Sequence, residues 1–436
     1  MTNKKVVILG AGLSGLSAAW HLQRKGVNPV VFEKEHDAGG LCRTKKVDNF
    51  IFDYDGHLLH FKQKYTFELV KELFNGNLAE HKRSAWVSFK NRYIAYPFQA
   101  NLHGLPSEIA KECLMGFFKA QKNGKNKCFD KLSFLDWVYS TFGEGIAKYF
   151  MIPYNQKFWK TPLENLTCGW FDGFIPVPSL DQVIEGTIEE SHREFGYNSK
   201  FWYPKTGGIN QLPLAFAKGL NRLFLDSKVD RIDLRRKQIE LSDGRIEEFD
   251  YVVSTIPLPE LPHLIAGLPK RLLSAFSKLR WTSILNLNIG VDSCPDNEKH
   301  WIYFPQNEIS FFRVGYYNNF SDFLAPRGLC SLYIEASFLK GIPENKDNII
   351  KLIKADLKKT GLVSSNIVAT DINEIEYGYP VYDNNYSKSQ EEITRFLRKN
   401  NIIPCGRYGS WKYFSMEDAI NDGKRASEEI LRPNSK

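Results

Sequence analysis

The sequence predicts an α/β protein in which a discontinuous Rossmann-like, nucleotide-binding domain is combined with a helical domain and a mainly antiparallel sheet domain. Three observations predict this fold class. A glycine-rich turn joins a β-branched run to a helical pattern within residues 5–25. Residues 102–194 are mostly helical in pattern, and residues 281–379 alternate apolar and polar side chains in short runs, as antiparallel strands do.

The first elements have the order that a dinucleotide site requires. A strand, a Gly-x-Gly-x-x-Gly turn, a helix, a second strand and an acidic residue follow one another at 5–9, 10–15, 16–25, 29–32 and 33. Gly10 permits the tight turn, Gly12 lets the backbone approach a pyrophosphate, and Gly15 lets the helix pack on the strand. Glu33 is placed to accept hydrogen bonds from a ribose diol. The sequence therefore predicts a bound dinucleotide.

The stretch after the acid indicates which dinucleotide is bound. Residues 37–44 are Asp-Ala-Gly-Gly-Leu-Cys-Arg-Thr; the paired glycines let the backbone run beside the cofactor, and Arg43 can neutralise a pyrophosphate. A second glycine-rich turn at 405–409 precedes a helical pattern at 416–431 and offers further N–H groups. These features resemble the FAD-binding superfamily of amine oxidases and sugar mutases, in which Val229 would offer a backbone contact to adenine. The resemblance implies FAD.

The FAD-binding domain is predicted to be discontinuous because its fingerprint opens the chain and its closing helix ends it. Residues 249–257 predict a strand that returns to this domain, and residues 241–246 predict a hairpin turn. The predicted segments are an FAD-binding part at 1–95, a helical substrate domain at 96–199, a second FAD-binding part at 200–270, an antiparallel sheet domain at 271–395 and a third FAD-binding part at 396–436.

Composition and charge argue against several classes of partner. The chain has 436 residues, 43% of them hydrophobic and 25% charged, with a formal net charge of +8. Lys and Arg alternate with Asp and Glu along most of its length, so no nucleic acid is expected and an acidic small-molecule substrate is favoured. The apolar run at 6–22 is interrupted by glycine and serine, which predicts a strand, turn and helix rather than a signal peptide or an anchor inserted in a membrane.

Seven cysteines are scattered along the chain without a Cys-x-x-Cys pair. This pattern indicates neither a disulfide framework nor a zinc site, so reduced thiols in a cytoplasmic protein are expected. His57 and His60 are close in sequence, but no carboxylate or cysteine cluster accompanies them. No metal is therefore expected.

Several further strings occur together and in a recognisable order. The most specific are Tyr-Pro-Phe-Gln at 96–99, Tyr-Asn-x-Lys-x-Trp at 154–159 and Gly-Arg-x-Gly-x-Trp-x-Tyr at 406–413. The other matching segments are 53–57, 142–146, 301–305, 312–313 and 378–380. Together they resemble the flavin-dependent UDP-galactopyranose mutases, the eukaryotic-type branch more than the short bacterial one, over nearly the whole chain.

The resemblance implies an isomerase that carries out no net oxidation. In that family N5 of the reduced flavin attacks the anomeric carbon of a nucleotide sugar, UDP leaves, and the opened sugar recloses with the other ring size. The resemblance also implies that reduced FAD is the active form, that NAD(P)H or a reductase supplies the electrons, and that the product serves cell-surface polysaccharide biosynthesis. The protein would position the sugar, hold the departing diphosphate and exclude water.

The resemblance also assigns residues. The catalytic assignments are His57, which would lie beside the flavin, and Arg313, Tyr379 and Tyr413, which would hold the diphosphate or line the sugar site. The substrate contacts would be Tyr96, Gln99, Phe150, Asn155, Trp159, Tyr303, Arg313, Tyr379 and Tyr413. The cofactor contacts expected from the motifs and the resemblance are Gly10, Gly12, Leu13, Ser14, Gly15, Glu33, Lys34, Gly40, Leu41, Arg43, His57, Val229, Gly406, Arg407 and Met416.

Two positions depart from the family. The stretch at 169–178 would carry the family's second diphosphate arginine, but the matching position is Phe174. A charge-assisted hydrogen bond to phosphate contributes about 1.5–3 kcal/mol, so another cation such as Lys200 would have to substitute. Asp55 replaces a glycine two residues before the flavin-loop histidine, which puts a negative charge close to that loop.

Three functions follow from these observations. The first is a mutase for UDP-galactose or another sugar nucleotide. The second is a redox FAD enzyme of the amine oxidase or protoporphyrinogen oxidase type, which oxygen consumption or peroxide release would indicate. The third is a flavin-binding protein without catalytic activity. For each assigned side chain, the alternative to a functional role is ordinary packing in the core.

Overall fold

The fold is taken from a computed structural model, which describes residues 4–123, 132–171, 174–189, 196, 199–293, 298–364 and 366–432. The strands are β1 Val6–Leu9, β2 Val30–Phe32, β3 Thr44–Val47, β4 Phe50–Asp53, β5 Leu78–Lys82, β6 Ala85–Phe89, β7 Arg92–Ala95, β8 Lys200–Pro204, β9 Leu223–Phe224, β10 Val229–Asp233, β11 Gln238–Leu241, β12 Ile246–Glu248, β13 Tyr251–Ser254, β14 Trp281–Val291, β15 Trp301–Tyr303, β16 Arg313–Tyr316, β17 Cys330–Leu339, β18 Ile367–Pro380 and β19 Ile402–Pro404. The α-helices are α1 Leu13–Arg24, α2 Lys64–Phe74, α3 Ser107–Asn123, α4 Phe134–Ile146, α5 Ile152–Trp159, α6 Leu180–Ile188, α7 Gln211–Ala217, α8 Leu261–Leu264, α9 Lys270–Ser277, α10 Lys346–Lys359, α11 Tyr386–Lys399, α12 Gly406–Gly409 and α13 Met416–Leu431.

The nucleotide-binding sheet is parallel and has the strand order β19-β13-β1-β2-β9. β1 pairs with β2 on one side and with β13 on the other. Every residue of β1 is buried, as expected for a strand covered on both faces. β13 comes from the middle of the chain and β19 from near its end, so the sheet is assembled from distant segments, as the sequence predicts.

Helices α1 and α13 pack closely beside this sheet. A Cβ on Gly423 of α13 would lie 2.4 Å from the carbonyl oxygen of Ser14 in α1, so only glycine allows this approach. The last helix of the chain is thereby held against the first glycine-rich turn. This contact places both glycine-rich segments at one edge of the sheet.

The second sheet has the order β18-β14-β17-β16-β15-β6-β7. β14 pairs antiparallel with both β17 and β18, while β15 and β6 run parallel. Its strands include the apolar and polar alternations that predict an antiparallel sheet, and the predicted fold class is confirmed. β6 and β7 precede residue 96, so the first predicted segment contributes to this sheet as well as to the nucleotide-binding sheet.

The region between these strands is helical, as predicted, and contains α3, α4, α5 and α6. α3 and α4 pack so closely that a Cβ on Gly145 would lie 2.6 Å from the backbone of Cys113. A π-helical turn, Ala147–Met151, leads from α4 into α5. The predicted hairpin is also present, between β11 and β12.

The disulfide state of one cysteine differs from the prediction. Among the cysteines that the structure describes, Cys42, Cys113, Cys168 and Cys405 are not disulfide-bonded. Cys330, at the start of β17, is disulfide-bonded, so the expectation of reduced thiols is wrong at this position. Disulfide formation depends on how closely two Cα atoms approach in the fold, which the spacing of cysteines in the sequence does not show. Among the described helices, none is long and apolar enough to cross a membrane.

Candidate active site

The turn between β1 and α1 has two positions that only glycine can occupy. Gly10 has a φ of +98°, and a Cβ there would lie 2.2 Å from Oγ1 of Thr255. A Cβ on Gly15 would lie 2.1 Å from the carbonyl oxygen of Gly10. Gly12, which has no side chain, stands at the N-cap of α1. The first N–H groups of the helix are therefore open to a ligand.

Three glycine-containing segments meet at this turn. Gly12 forms a parallel bridge with Gly39, and a Cβ on Gly40 would lie 3.1 Å from the Cα of Gly12. A Cβ on Gly406 would lie 2.5 Å from Oγ of Ser14. The backbones of both later segments therefore run beside the start of α1, where the sequence predicts the pyrophosphate.

Glu33 follows β2 and is buried. Its Oε2 accepts a hydrogen bond from the N–H of Ala11 at 2.7 Å, and its Oε1 accepts one from the N–H of Glu35 at 3.0 Å. Each carboxylate oxygen keeps a lone pair for a further donor. The N–H of Ser227 donates to the carbonyl of Glu33 at 2.7 Å, which brings β10, and with it Val229, to the same edge.

Two of the predicted basic contacts to the cofactor differ in exposure, since Arg43 is partly buried and Lys34 is exposed. Nε of Arg43 is buried and has no hydrogen-bond partner among the described residues, while its guanidinium lies 4.5 Å from the ring centre of Tyr54. A buried donor without an acceptor indicates that an anionic ligand belongs beside it. Lys34 is exposed, with its Nζ 3.8 Å from the carboxylate of Glu35, and the structure does not bring it into the turn.

A cavity of about 250 Å³ brings most of the remaining predicted residues together. Those that line it are Leu41, His57, Tyr96, Gln99, Phe150, Asn155, Phe174, Tyr303, Arg313, Tyr379, Arg407, Tyr413 and Met416. Trp159 is not on the cavity wall. It is fully buried, edge-on to Trp170 at 4.7 Å, and lies 6.3 Å from the ring of Tyr379. Lys200 lies away from the cavity and pairs with Glu80 at 3.1 Å.

Arg313 is held by a buried acid that the sequence does not predict. Arg313 on β16 and Glu335 on β17 are cross-strand neighbours. Nε and one terminal nitrogen of the guanidinium donate to the carboxylate, the latter at 2.7 Å. The Glu335 side chain is fully buried; burial raises its pKa, and the Arg313 guanidinium opposes this rise and favours the carboxylate form. The pair fixes the guanidinium and leaves its other N–H groups for a ligand.

Asp55 lies beside this ion pair and lines the same cavity. Its Oδ1 accepts hydrogen bonds from the N–H of Gly56 at 2.7 Å and from Nδ2 of Asn286 at 3.3 Å. The charge of Asp55 adds to the rise in the pKa of Glu335 that burial causes. Asp55 therefore lies on the loop that carries His57, as expected from the sequence, and backbone and amide N–H groups stabilise its carboxylate.

His57 lines the cavity as a neutral hydrogen-bonding group. Its Nδ1 lies 3.0 Å from the carbonyl oxygen of Asp55. This contact places the proton of the neutral ring on Nδ1 and leaves Nε2 as an acceptor. Burial lowers the pKa of His57, and it lowers the pKa of the neighbouring His60 to about 4. Both rings are therefore uncharged near neutral pH.

Tyr379 and Tyr413 form a stacked pair with ring centroids 5.5 Å apart. The guanidinium of Arg407 lies 5.1 Å from the first ring and 5.7 Å from the second, while its Nε donates to the carbonyl of Phe414 at 2.8 Å. Burial raises the pKa of both tyrosines, so their hydroxyls stay protonated. Phe174 packs edge-on against Tyr413 at 4.8 Å and faces the cavity.

Another part of the cavity wall combines aromatic rings with amide groups. Tyr96 and Tyr303 pack with ring centroids 5.0 Å apart. Nε2 of Gln99 donates to the carbonyl of Pro176 at 2.8 Å, whereas its buried Oε1 has no partner among the described residues. Nδ2 of Asn155 donates to a backbone carbonyl one turn earlier at 2.7 Å. A planar group with an N–H donor suits this arrangement.

A family comparison covers nearly the whole of this architecture. The sequence profile described as flavin containing amine oxidoreductase matches residues 13–431. The chain belongs to this family. The match extends from the start of α1 to the end of α13 and includes the residues that line the cavity.

Relatives in the flavin containing amine oxidoreductase family have different activities. The chain is 30% identical to "Probable flavin-containing monoamine oxidase A" of Dictyostelium discoideum over 146 residues, which span about a third of that relative, 32%. It is 21% identical to coproporphyrinogen III oxidase of Bacillus subtilis (strain 168) over 98% of both chains. The crystal structure of reduced UDP-galactopyranose mutase has a TM-score of 0.92 and 27% identity, covering 98% of this chain and 95% of that one. The resemblance predicted from the sequence is thereby confirmed.

FAD is therefore the cofactor of this flavin-dependent enzyme, and the residues present fit it. The glycine-rich turn keeps side chains away from the start of α1, and the orphaned Nε of Arg43 lacks the anionic acceptor that a pyrophosphate would supply. Leu41 and Met416, predicted as cofactor contacts, lie on the cavity wall. Within the described part of the chain, no group of three or more His, Cys, Asp or Glu residues is placed to hold a metal ion.

Lys157 belongs to one of the matching strings, but its role is visible only in the structure. Its Nζ donates to the carbonyls of Phe304, Gln306 and Phe311 at 2.9, 2.5 and 2.9 Å. Burial lowers its pKa to about 7, yet three acceptors require the three N–H groups of the ammonium form. These bonds tie α5 to the loop between β15 and β16 and so position one wall of the cavity.

Replacing Lys157 with methionine is expected to destabilise the holoprotein by on the order of 3 kcal/mol, because buried carbonyls are left without donors. Thermal unfolding followed by the release of flavin fluorescence measures this as a lower Tm. Lys148→Met is the matched control, because Lys148 forms an exposed pair with Glu112 at 3.0 Å and such solvent-screened pairs contribute little to stability. Equal Tm shifts for the two variants would contradict the assignment.

Proposed function

We propose that this chain is an FAD-dependent mutase that interconverts the pyranose and furanose rings of a nucleotide sugar while its flavin is reduced. The observation that carries the proposal is the convergence of Arg313, Tyr379 and Tyr413 on the cavity that also contains the His57 loop and the cofactor contacts. A phosphorylated sugar held by these groups would lie next to the flavin. The likeness to reduced UDP-galactopyranose mutase supports this reading.

The diphosphate is assigned to Arg313 and the stacked tyrosine pair. The guanidinium is permanently charged and is fixed by Glu335, so it needs no rearrangement as charge develops on the leaving group. Tyr379 and Tyr413 keep their protons because burial raises their pKa values. Their neutral hydroxyls can donate to phosphate oxygens without adding a second charge.

The nucleobase is assigned to the part of the cavity wall formed by Tyr96, Gln99, Phe150 and Asn155. The free Oε1 of Gln99 can accept a hydrogen bond from the imide N–H of uracil. The aromatic rings supply flat apolar faces on which a base stacks. Trp159, behind this wall, supports it rather than touching the substrate.

The sugar would lie between these two groups, beside the flavin loop. When bound and reduced, FAD supplies the nucleophile for the anomeric carbon. The chain holds the sugar in reach of it, and Nε2 of His57 offers an uncharged acceptor at the loop. Phe174 covers the cavity next to Tyr413 and helps to exclude water, which would otherwise hydrolyse an activated sugar.

We also propose the five segment boundaries given above as the domain organisation, and an external reductant such as NAD(P)H or a reductase as a partner. The alternative function is a redox FAD oxidoreductase of the amine oxidase or protoporphyrinogen oxidase type. The observation that favours it is the full-length match to coproporphyrinogen III oxidase of Bacillus subtilis. It predicts consumption of oxygen and release of hydrogen peroxide.

Anaerobic reduction with dithionite, followed by incubation with a panel of pyranose and furanose sugar nucleotides, tests the proposal. Chromatography is expected to show interconversion of at least one of them by the reduced protein and none by the oxidised protein. Flavin-loaded protein that converts no member of the panel would contradict it. Peroxide release with an amine or porphyrinogen substrate would establish the alternative instead.

A further inference from the structure

The charges around the cavity leave the diphosphate incompletely neutralised. Among the described residues that line it, the permanently charged or acidic groups are Arg313, Arg407 and Asp55. Glu335 compensates Arg313 through a bidentate pair. A nucleoside diphosphate sugar carries one negative charge on each phosphate. A further cation at the cavity mouth would therefore favour its binding.

Lys62 is placed to be that cation. It follows the flavin loop that carries His57 and His60, and its Nζ lies 5.0 Å from the ring centroid of Phe174. Phe174 in turn packs against Tyr413 and lines the cavity. An ammonium within about 6 Å of an aromatic centroid is attracted to the ring face. The charge of Lys62 therefore lies just outside the wall to which the diphosphate is assigned.

The backbone at Lys62 is anchored although its side chain is exposed. The N–H groups of Lys62 and Gln63 donate to the two carboxylate oxygens of Glu417, each at 2.8 Å. Glu417 is buried in the first turn of α13, directly after Met416 on the cavity wall. The start of the Lys62 side chain is thus fixed relative to the cavity.

We propose that Lys62 supplies the second cation of the diphosphate site. This inference rests on the proposed function. Phe174 stands where the family that the sequence resembles has a second diphosphate arginine, and Lys62 would supply the missing positive charge from the neighbouring loop. Phe174 holds the ammonium over the cavity mouth, and the bound diphosphate draws it inward. Lysine acts there as a compact point charge rather than as a bidentate fork.

The test compares the binding of UDP and of uridine to flavin-loaded, reduced protein by titration calorimetry. Lys62→Ala is expected to weaken UDP binding by about tenfold or more while leaving uridine binding and FAD content unchanged. Lys62→Arg should retain UDP affinity. Lys64→Ala is the matched control, because Lys64 is exposed at the start of α2 and should have no effect. The double variant Lys62→Ala/Phe174→Arg should regain part of the lost affinity.

Two results would overturn the inference and separate it from the function on which it rests. If wild-type protein binds UDP and Lys62→Ala binds it equally well, Lys62 has no such role although the proposed function stands. If Lys62→Ala loses uridine and UDP binding equally, the residue supports the pocket rather than the diphosphate. A wild-type protein that holds FAD but binds no UDP would remove the proposed function and this inference together.

Discussion

Replacing Arg313 with methionine is expected to lower kcat/KM for sugar-nucleotide interconversion by about 10²- to 10³-fold while the protein remains yellow. Among the described residues of the cavity wall, the guanidinium is the one permanently charged group that a buried carboxylate fixes in place. Its loss removes a donor to the leaving diphosphate that is already oriented before the reaction begins. Steady-state rates with the reduced enzyme, measured across the panel of sugar nucleotides, check this.

The buried partner requires its own control. In Arg313→Met the carboxyl of Glu335 loses the cation that opposes the rise in its pKa caused by burial, so it takes up a proton and the fold is expected to survive. Arg313→Met/Glu335→Gln replaces this protonated carboxyl with a neutral amide and should be equally inactive. Full activity in either variant would exclude Arg313 from the diphosphate site. Loss of flavin together with activity would instead indicate a structural role.

The environment of Asp55 explains how the cavity accepts an acid next to the flavin loop. Its carboxylate accepts from the N–H of Gly56 and from Asn286, and it lies beside the Arg313–Glu335 pair. The acids and the arginine therefore form one connected group of charges rather than an isolated anion. This group belongs to the protein itself, so the diphosphate still needs cations at the cavity mouth.

Local patterns predicted the nucleotide-binding half of the molecule. The β-branched run, the glycine spacing and the acid at its end each follow from backbone geometry over a few residues. Even so, α1 begins at Leu13 rather than at residue 16, because Gly15 packs inside the first turn of the helix instead of preceding it. The sheet built from β14, β17 and β18 was equally visible, since its alternation of apolar and polar residues is local.

The residues that depend on distant pairing were not predictable in the same way. Glu335 lies in an apolar strand, and only the register of β16 against β17 brings it to Arg313. Lys157 lies in an apolar helix, and its three acceptors come from a loop about 150 residues later, at separations of 147, 149 and 154 residues. Trp159 shares the matching string with Asn155, yet the helix directs it into the core. Spacing in the sequence does not determine these contacts.

Replacing Gly15 with alanine is expected to give a protein without flavin. A Cβ at this position would lie 2.1 Å from the carbonyl oxygen of Gly10 and 3.3 Å from a side-chain carbon of Ile8. Backbone atoms cannot move aside as a flexible side chain can, so α1 must shift away from β1. Overpacking of this kind destabilises a protein by about 1–3 kcal/mol, and here it also displaces the N–H groups that face the pyrophosphate.

Two further substitutions separate the cofactor site from the fold. A Cβ on Gly12 would lie 3.8 Å from the Cα of Gly40, in ordinary contact, so Gly12→Ala should fold with a Tm close to that of flavin-free wild type. It should nevertheless bind FAD weakly, because the added methyl group stands where the pyrophosphate approaches the backbone. Gly169→Ala, at an exposed position with no heavy atom within 4 Å of the new Cβ, should retain both stability and flavin. For each purified variant, the absorbance near the flavin maximum measures flavin content and the Tm measures stability. A Gly15→Ala protein with full flavin content would show that the turn does not hold the cofactor.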